Sequence, residues 1–68
     1  MDKAIYCDNK GDVLRDMKRY EEALAAYEEA IRLKPNYAWA YNGKGLTLQD
    51  VKRYEEALAA FEEAIRLS

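Results

Sequence analysis

The sequence predicts an all-α protein built from two tandem helix-turn-helix hairpins, four helices in all. Three observations carry that prediction. Residues 18 to 33, KRYEEALAAYEEAIRL, return 34 places later as KRYEEALAAFEEAIRL at 52 to 67, with Tyr27 against Phe61 as the single difference. Within each copy the apolar residues recur at steps of three and four, the period of a helix with one buried face. Pro35, the only proline, falls where the first copy gives way to the second. A self-similar unit of this size cannot bury its apolar face alone and has to stack on a neighbour.

The elements follow in order. A first helix over about 3–17 starts with Asp2 as its N-cap and carries the stripe Tyr6, Lys10, Val13, Leu14 and Met17. Gly11 lies in its middle, at a cost of about 0.5–1 kcal/mol relative to alanine, which suggests that another backbone comes close there. The chain then turns between Asp16 and Arg19 without glycine or proline. A second helix, about 20–33, places Tyr20, Ala23, Leu24, Tyr27, Ala30 and Ile31 on one face. Glu21 and Glu22 suit its positive N-terminal pole, and Arg32 and Lys34 its negative C-terminal pole. Glu28 to Arg32 is an i,i+4 pair in the favourable orientation, repeated by Glu62 to Arg66. Pro35 ends this helix, because it has no N–H and disfavours helical geometry at Lys34. Asn36 is placed to cap a third helix over about 37–51, in which Gly45 repeats Gly11, and after a turn at Asp50 to Arg53 a fourth helix covers about 54–67. The units are thus 1–35 and 36–68.

Composition narrows the function classes. Thirteen acids against eleven bases give a net charge of −2, far from that of a nucleic-acid binder. One cysteine allows no internal disulfide framework, and neither a leader nor a long apolar run is seen, so the expected setting is cytoplasmic with no membrane contact. Catalysis has little to work with: there is no histidine, and Thr47 and Ser68 are the only hydroxyl side chains besides the tyrosines. Cys7 has no obvious base and reads as a small buried apolar residue. No catalytic residue, metal site or cofactor is expected; adjacent glutamates on a helix point about 100° apart and stand beside bases.

The residues resemble the tetratricopeptide repeat, whose pattern W-x2-L-G-x2-Y, then A-x3-F, A and P, spans 34 residues. The first copy reads Cys7, Lys10, Gly11, Leu14, Ala23, Tyr27, Ala30 and Pro35; the second reads Tyr41, Lys44, Gly45, Leu48, Ala57, Phe61 and Ala64. The resemblance covers nearly the whole chain. It implies four antiparallel helices stacked as a short right-handed solenoid, with a concave wall made by the first helix of each pair. Lys10 and Lys44 stand where the family has leucine, Cys7 and Tyr41 where it has tryptophan, and Lys18 and Lys52 at the turn site where glycine is common. A positive φ at either turn lysine costs about 1 kcal/mol and makes a swapped, fused-helix arrangement cheaper.

The two copies differ where the resemblance puts ligand contacts. Residues 18–33 and 52–67 agree at fifteen of sixteen positions, but 4–17 and 38–51 at five of fourteen. That contrast fits a constant scaffold with an individualised recognition face, and equally a join of copies from different parents or uneven drift. On the first helix Ile5, Asp8, Asn9, Asp12, Arg15 and Asp16 should face the concave side, and Asp8, Asp12 and Asp16 form a ladder of like charges. The ladder is either a solvated face or an acidic wall. On the third helix the matching residues are Trp39, Asn42, Gly43, Leu46, Gln49 and Asp50. Gly43 leaves a notch between Trp39 and Leu46 that suits a bulky side chain of a peptide, unless Trp39 packs on Ile5 or the preceding helix. Many relatives grip a C-terminal carboxylate, but Asp8 and Asp12 stand where that clamp needs lysine and asparagine, and Gly43 replaces its next asparagine. A neutral or basic segment is the expected partner. With no capping helix after the fourth, Phe61, Ala64, Ile65 and Leu67 should be exposed and drive self-association, by end-to-end stacking or hairpin exchange. The other reading, of a different class, is an excised or engineered fragment of a longer array with no ligand of its own.

Overall fold

The computed structural model describes residues 2–68. It contains four helices, α1 (Lys3–Asp16), α2 (Tyr20–Leu33), α3 (Ala38–Asp50) and α4 (Tyr54–Leu67), paired as α1–α2 and α3–α4, with α3 also lying on α2 and touching α1. Asp2 caps α1, its side chain accepting the Ala4 N–H at 2.8 Å and the Ile5 N–H at 3.4 Å. Asn36 does not cap α3; Tyr37 holds the N-cap position and makes no side-chain cap bond.

Both turns within the hairpins are closed by the same backbone device. The Arg19 N–H reaches back to the Leu14 carbonyl and the Lys18 N–H to the Arg15 carbonyl, each at 2.9 Å. Arg53 and Lys52 repeat these bonds to Leu48 and Gln49. This is the Schellman arrangement, which needs a left-handed residue just past the helix end. Lys18 and Lys52 take that conformation, with φ of 63° and 66°. The helix charges pair at i,i+3 rather than at the anticipated i,i+4: Arg32 bonds Glu29 and Arg66 bonds Glu63, with Arg19–Glu22 and Arg53–Glu56 spaced alike. Glu28 meets Lys44 of α3 instead, 3.5 Å distant. The lysine standing where the family has leucine thus ties one hairpin to the next.

Two clusters form the core. Leu14, Ala23 and Tyr27 fill the first hairpin, while Leu24 of α2 joins Leu48, Ala57 and Ala60 in the second. The helical glycines make room for aromatic rings, and not for the neighbouring backbone that the sequence suggests at Gly11 and Gly45. A Cβ on Gly11 would lie 2.7 Å from the Tyr27 ring, one on Gly43 2.4 Å from the same ring, and one on Gly45 2.7 Å from that of Phe61. Tyr27 is therefore clasped between α1 and α3 and fully buried.

Of the stripe anticipated on α1 only Leu14 is buried. Ala4, Asp8, Gly11 and Leu14 face the interior, and Tyr6, Lys10, Val13 and Met17 point to solvent. The reason is that α1 packs on α2 and touches α3, and among the described residues no helix lies on its other flank. Cys7 is only half-buried.

Candidate functional site

The adjoining faces of α1 and α3 bound a shallow cavity of about 290 Å³. Asp8, Asp12, Arg15 and Asp16 border it from α1, and Trp39, Asn42, Gly43 and Leu46 from α3. Gln49 and Asp50 are exposed one turn further on, outside the cavity, and Asp50 engages Arg15 at 3.5 Å. Because helical residues three and four apart share a face, the spacing of the aspartates along α1 gathers them on one wall.

The wall is not uniformly solvated. Asp8 is 7% exposed, with Oδ2 accepting the Tyr37 hydroxyl at 3.3 Å and Oδ1 buried without a partner. Burial, the Asp12 charge and, in opposition, the bond from Tyr37 leave its carboxyl above the usual carboxylate range. The Tyr37 ring is itself held under Lys34, whose Nζ lies 5.1 Å from the ring centre. Asp12 accepts the Tyr27 hydroxyl at 2.5 Å, and burial together with this bond pushes the phenol well above its ordinary value. Asp16 remains exposed.

The apolar wall differs from the anticipated notch. The space that Gly43 leaves is filled by the Tyr27 ring of the same chain, so no foreign side chain enters there. The open volume lies between the helices instead. Trp39 does not fill an inter-helix gap; it is 72% exposed. Leu46 is half-buried. Tyr37 and Tyr27 were missed as members of the site, although the match of Tyr27/Asp12 with Phe61/Leu46 at equivalent positions was a usable signal.

Trp39 also borders a second, larger and mainly apolar groove of about 660 Å³, shared by α3 and α4. Phe61, Ala64 and Ile65 line it, together with Ala38 and Asn42; Leu67 lies outside. Among the described residues no group of His, Cys, Asp and Glu is arranged to hold a metal, and no helix is long and apolar enough to cross a membrane.

A pair of stacked helical hairpins with an open face along its first helices is a helical-repeat architecture. A TPR repeat profile matches residues 11–52, and a tetratricopeptide repeat profile matches residues 38–68. The chain belongs to the tetratricopeptide repeat family, whose members generally mediate protein–protein interaction and are typically non-enzymatic scaffolds. No curated protein matches the chain.

Proposed function

We propose that this chain is a non-enzymatic scaffold of two units, 1–35 and 36–68, that holds a protein segment along the α1–α3 face and associates with itself through its exposed repeat faces. The cavity between the aspartate wall and Trp39 carries the reading. A wall on which the Asp12 and Asp16 carboxylates are exposed suits a segment that brings hydrogen-bond donors and positive charge, and an exposed tryptophan offers an apolar or cation–π anchor. Such a partner is neutral or basic rather than acidic, because a like-charged segment would meet Asp12 and Asp16 with the Asp8 charge close behind them. Its cytoplasmic setting belongs to the same reading, and the single, unpaired Cys7 suits it.

Titration of the chain with a lysine-rich, aromatic-containing peptide and with an acidic peptide of equal length tests this. The basic peptide should bind about tenfold tighter at low salt, and Trp39→Ala should weaken it. Equal affinities, or a preference for the acidic peptide, would remove the proposal.

A further inference from the structure

Resting on the self-association part of that reading, we propose that copies of this chain join head to tail, α1 of one copy docking on α4 of the next as α3 docks on α2 inside each chain.

The internal repeat provides the template. Leu24 and Leu58 occupy equivalent places on two nearly identical helices, yet Leu24 is 6% exposed and Leu58 59%. The difference is α3, which covers α2, whereas among the described residues no helix lies over α4 in the same way. Ile65, equivalent to half-buried Ile31, is likewise 73% exposed. At the other end of the molecule α1 presents the complementary surface. Ala40 and Thr47 of α3 are fully buried and Val51, at its C-cap, is half-buried, while the equivalent Tyr6 and Val13 of α1 and Met17 at its C-cap are exposed and apolar. One end is a bare groove and the other a bare helix face, and each lacks what the other offers.

Charge repeats the match. Across the internal contact Lys44 meets Glu28 at 3.5 Å and Arg53 meets Glu21 at 3.9 Å. Moved by one repeat, these become Lys10 with Glu62 and Arg19 with Glu55, four residues of the same sign as their templates. Exposed pairs of this kind add little affinity and instead fix orientation and register. The fit is looser than inside the chain, since Asn9 and Tyr6 stand where α3 has Gly43 and Ala40, and the open groove of about 660 Å³ accommodates the added bulk. The contact is heterologous, so each added copy leaves both end faces free and the assembly stays open.

Solution mass by light scattering, over a dilution series up to about 1 mM, reads this directly. The wild-type average mass should rise beyond two chains. Two variants then separate the modes: Lys10→Glu with Val13→Glu blocks the α1 face, and Leu58→Lys with Ile65→Lys blocks the α4 face. Each alone should stay at one chain, and their equimolar mixture should reach two chains and stop, which also shows that both are folded. Association of the α1-blocked variant by itself would indicate an isologous α4 contact, and wild-type masses for both variants would indicate hairpin exchange; either overturns the head-to-tail proposal while leaving self-association standing. A wild-type chain that stays at one chain throughout overturns both.

Discussion

Tyr27 donates its hydroxyl to Asp12 at 2.5 Å, and the equivalent pair in the second hairpin, Phe61 and Leu46, lacks both the hydroxyl and the carboxylate. The single difference between the two otherwise identical segments is therefore matched by a difference on the helix opposite. Each ring passes a glycine, and its tip meets chemistry that suits it. In the first hairpin the buried phenol needs an acceptor, and in the second the hydrocarbon ring needs none.

That relationship predicts coupling. Tyr27→Phe alone should cost about 1–2 kcal/mol through loss of a bond to a charged acceptor, and Asp12→Leu alone should cost a comparable amount by stranding a buried hydroxyl. The double variant, which copies the second hairpin, should recover about 1 kcal/mol relative to the sum. Chemical denaturation of the four proteins measures this, and strict additivity would mean that the pair contributes nothing jointly.

The helical glycines give a prediction against propensity. Glycine to alanine in a helix interior ordinarily stabilises by about 1 kcal/mol. Here Gly43→Ala should destabilise by about 2 kcal/mol, since its Cβ would stand 2.4 Å from the fully buried Tyr27 ring. Gly45→Ala should be the mildest of the three, because Phe61 borders an open groove and can swing away. Thermal melts of the alanine variants should rank Gly43 worst and Gly45 least affected.

At the hairpin turns the order reverses. Lys18 and Lys52 hold φ of 63° and 66°, a conformation that disfavours a side chain and suits glycine. Lys18→Gly and Lys52→Gly should each stabilise by about 0.5–1 kcal/mol, after allowing for glycine's greater freedom when unfolded. Lys→Ala at either place should give no such gain, which distinguishes backbone strain from lost charge.

Much of this architecture was legible because it is local and repeated. Periodicity, Pro35 and the cap at Asp2 act over a few residues, and the copy of one segment in another reveals stacking without any knowledge of contacts. The lysines at the turns stand out only through the family resemblance, which puts glycine there, and the sequence leaves a closed turn and a fused helix both open. The site was harder. Asp8 looks like a member of a solvated ladder until Tyr37, 29 residues away, closes over it. Gly43 looks like a notch until Tyr27 from the preceding hairpin fills it. Tyr6, Val13 and Met17 make a helical stripe, and periodicity alone cannot say that the stripe faces away from the only hairpin partner α1 has.

Asp8 gives the clearest dependence on pH. Its carboxyl is raised above the usual range by burial and by the Asp12 charge, against the bond from Tyr37, so the folded chain holds this proton more tightly than the unfolded chain does. The stability it contributes is complete below the unfolded carboxyl range and is lost as pH rises through the folded value. Above that value the chain carries a buried carboxylate with one oxygen unpartnered. Asp8→Asn removes the charge and keeps an acceptor for the Tyr37 hydroxyl, so it should stabilise by about 1 kcal/mol at pH 7. The gain should fade toward about pH 3, where the wild-type carboxyl is itself protonated. Denaturation midpoints of the two proteins across that interval should converge at the acid end. A gain that persists undiminished at pH 3 would assign the effect to packing, and no gain at pH 7 would show that the anion is satisfied where it stands.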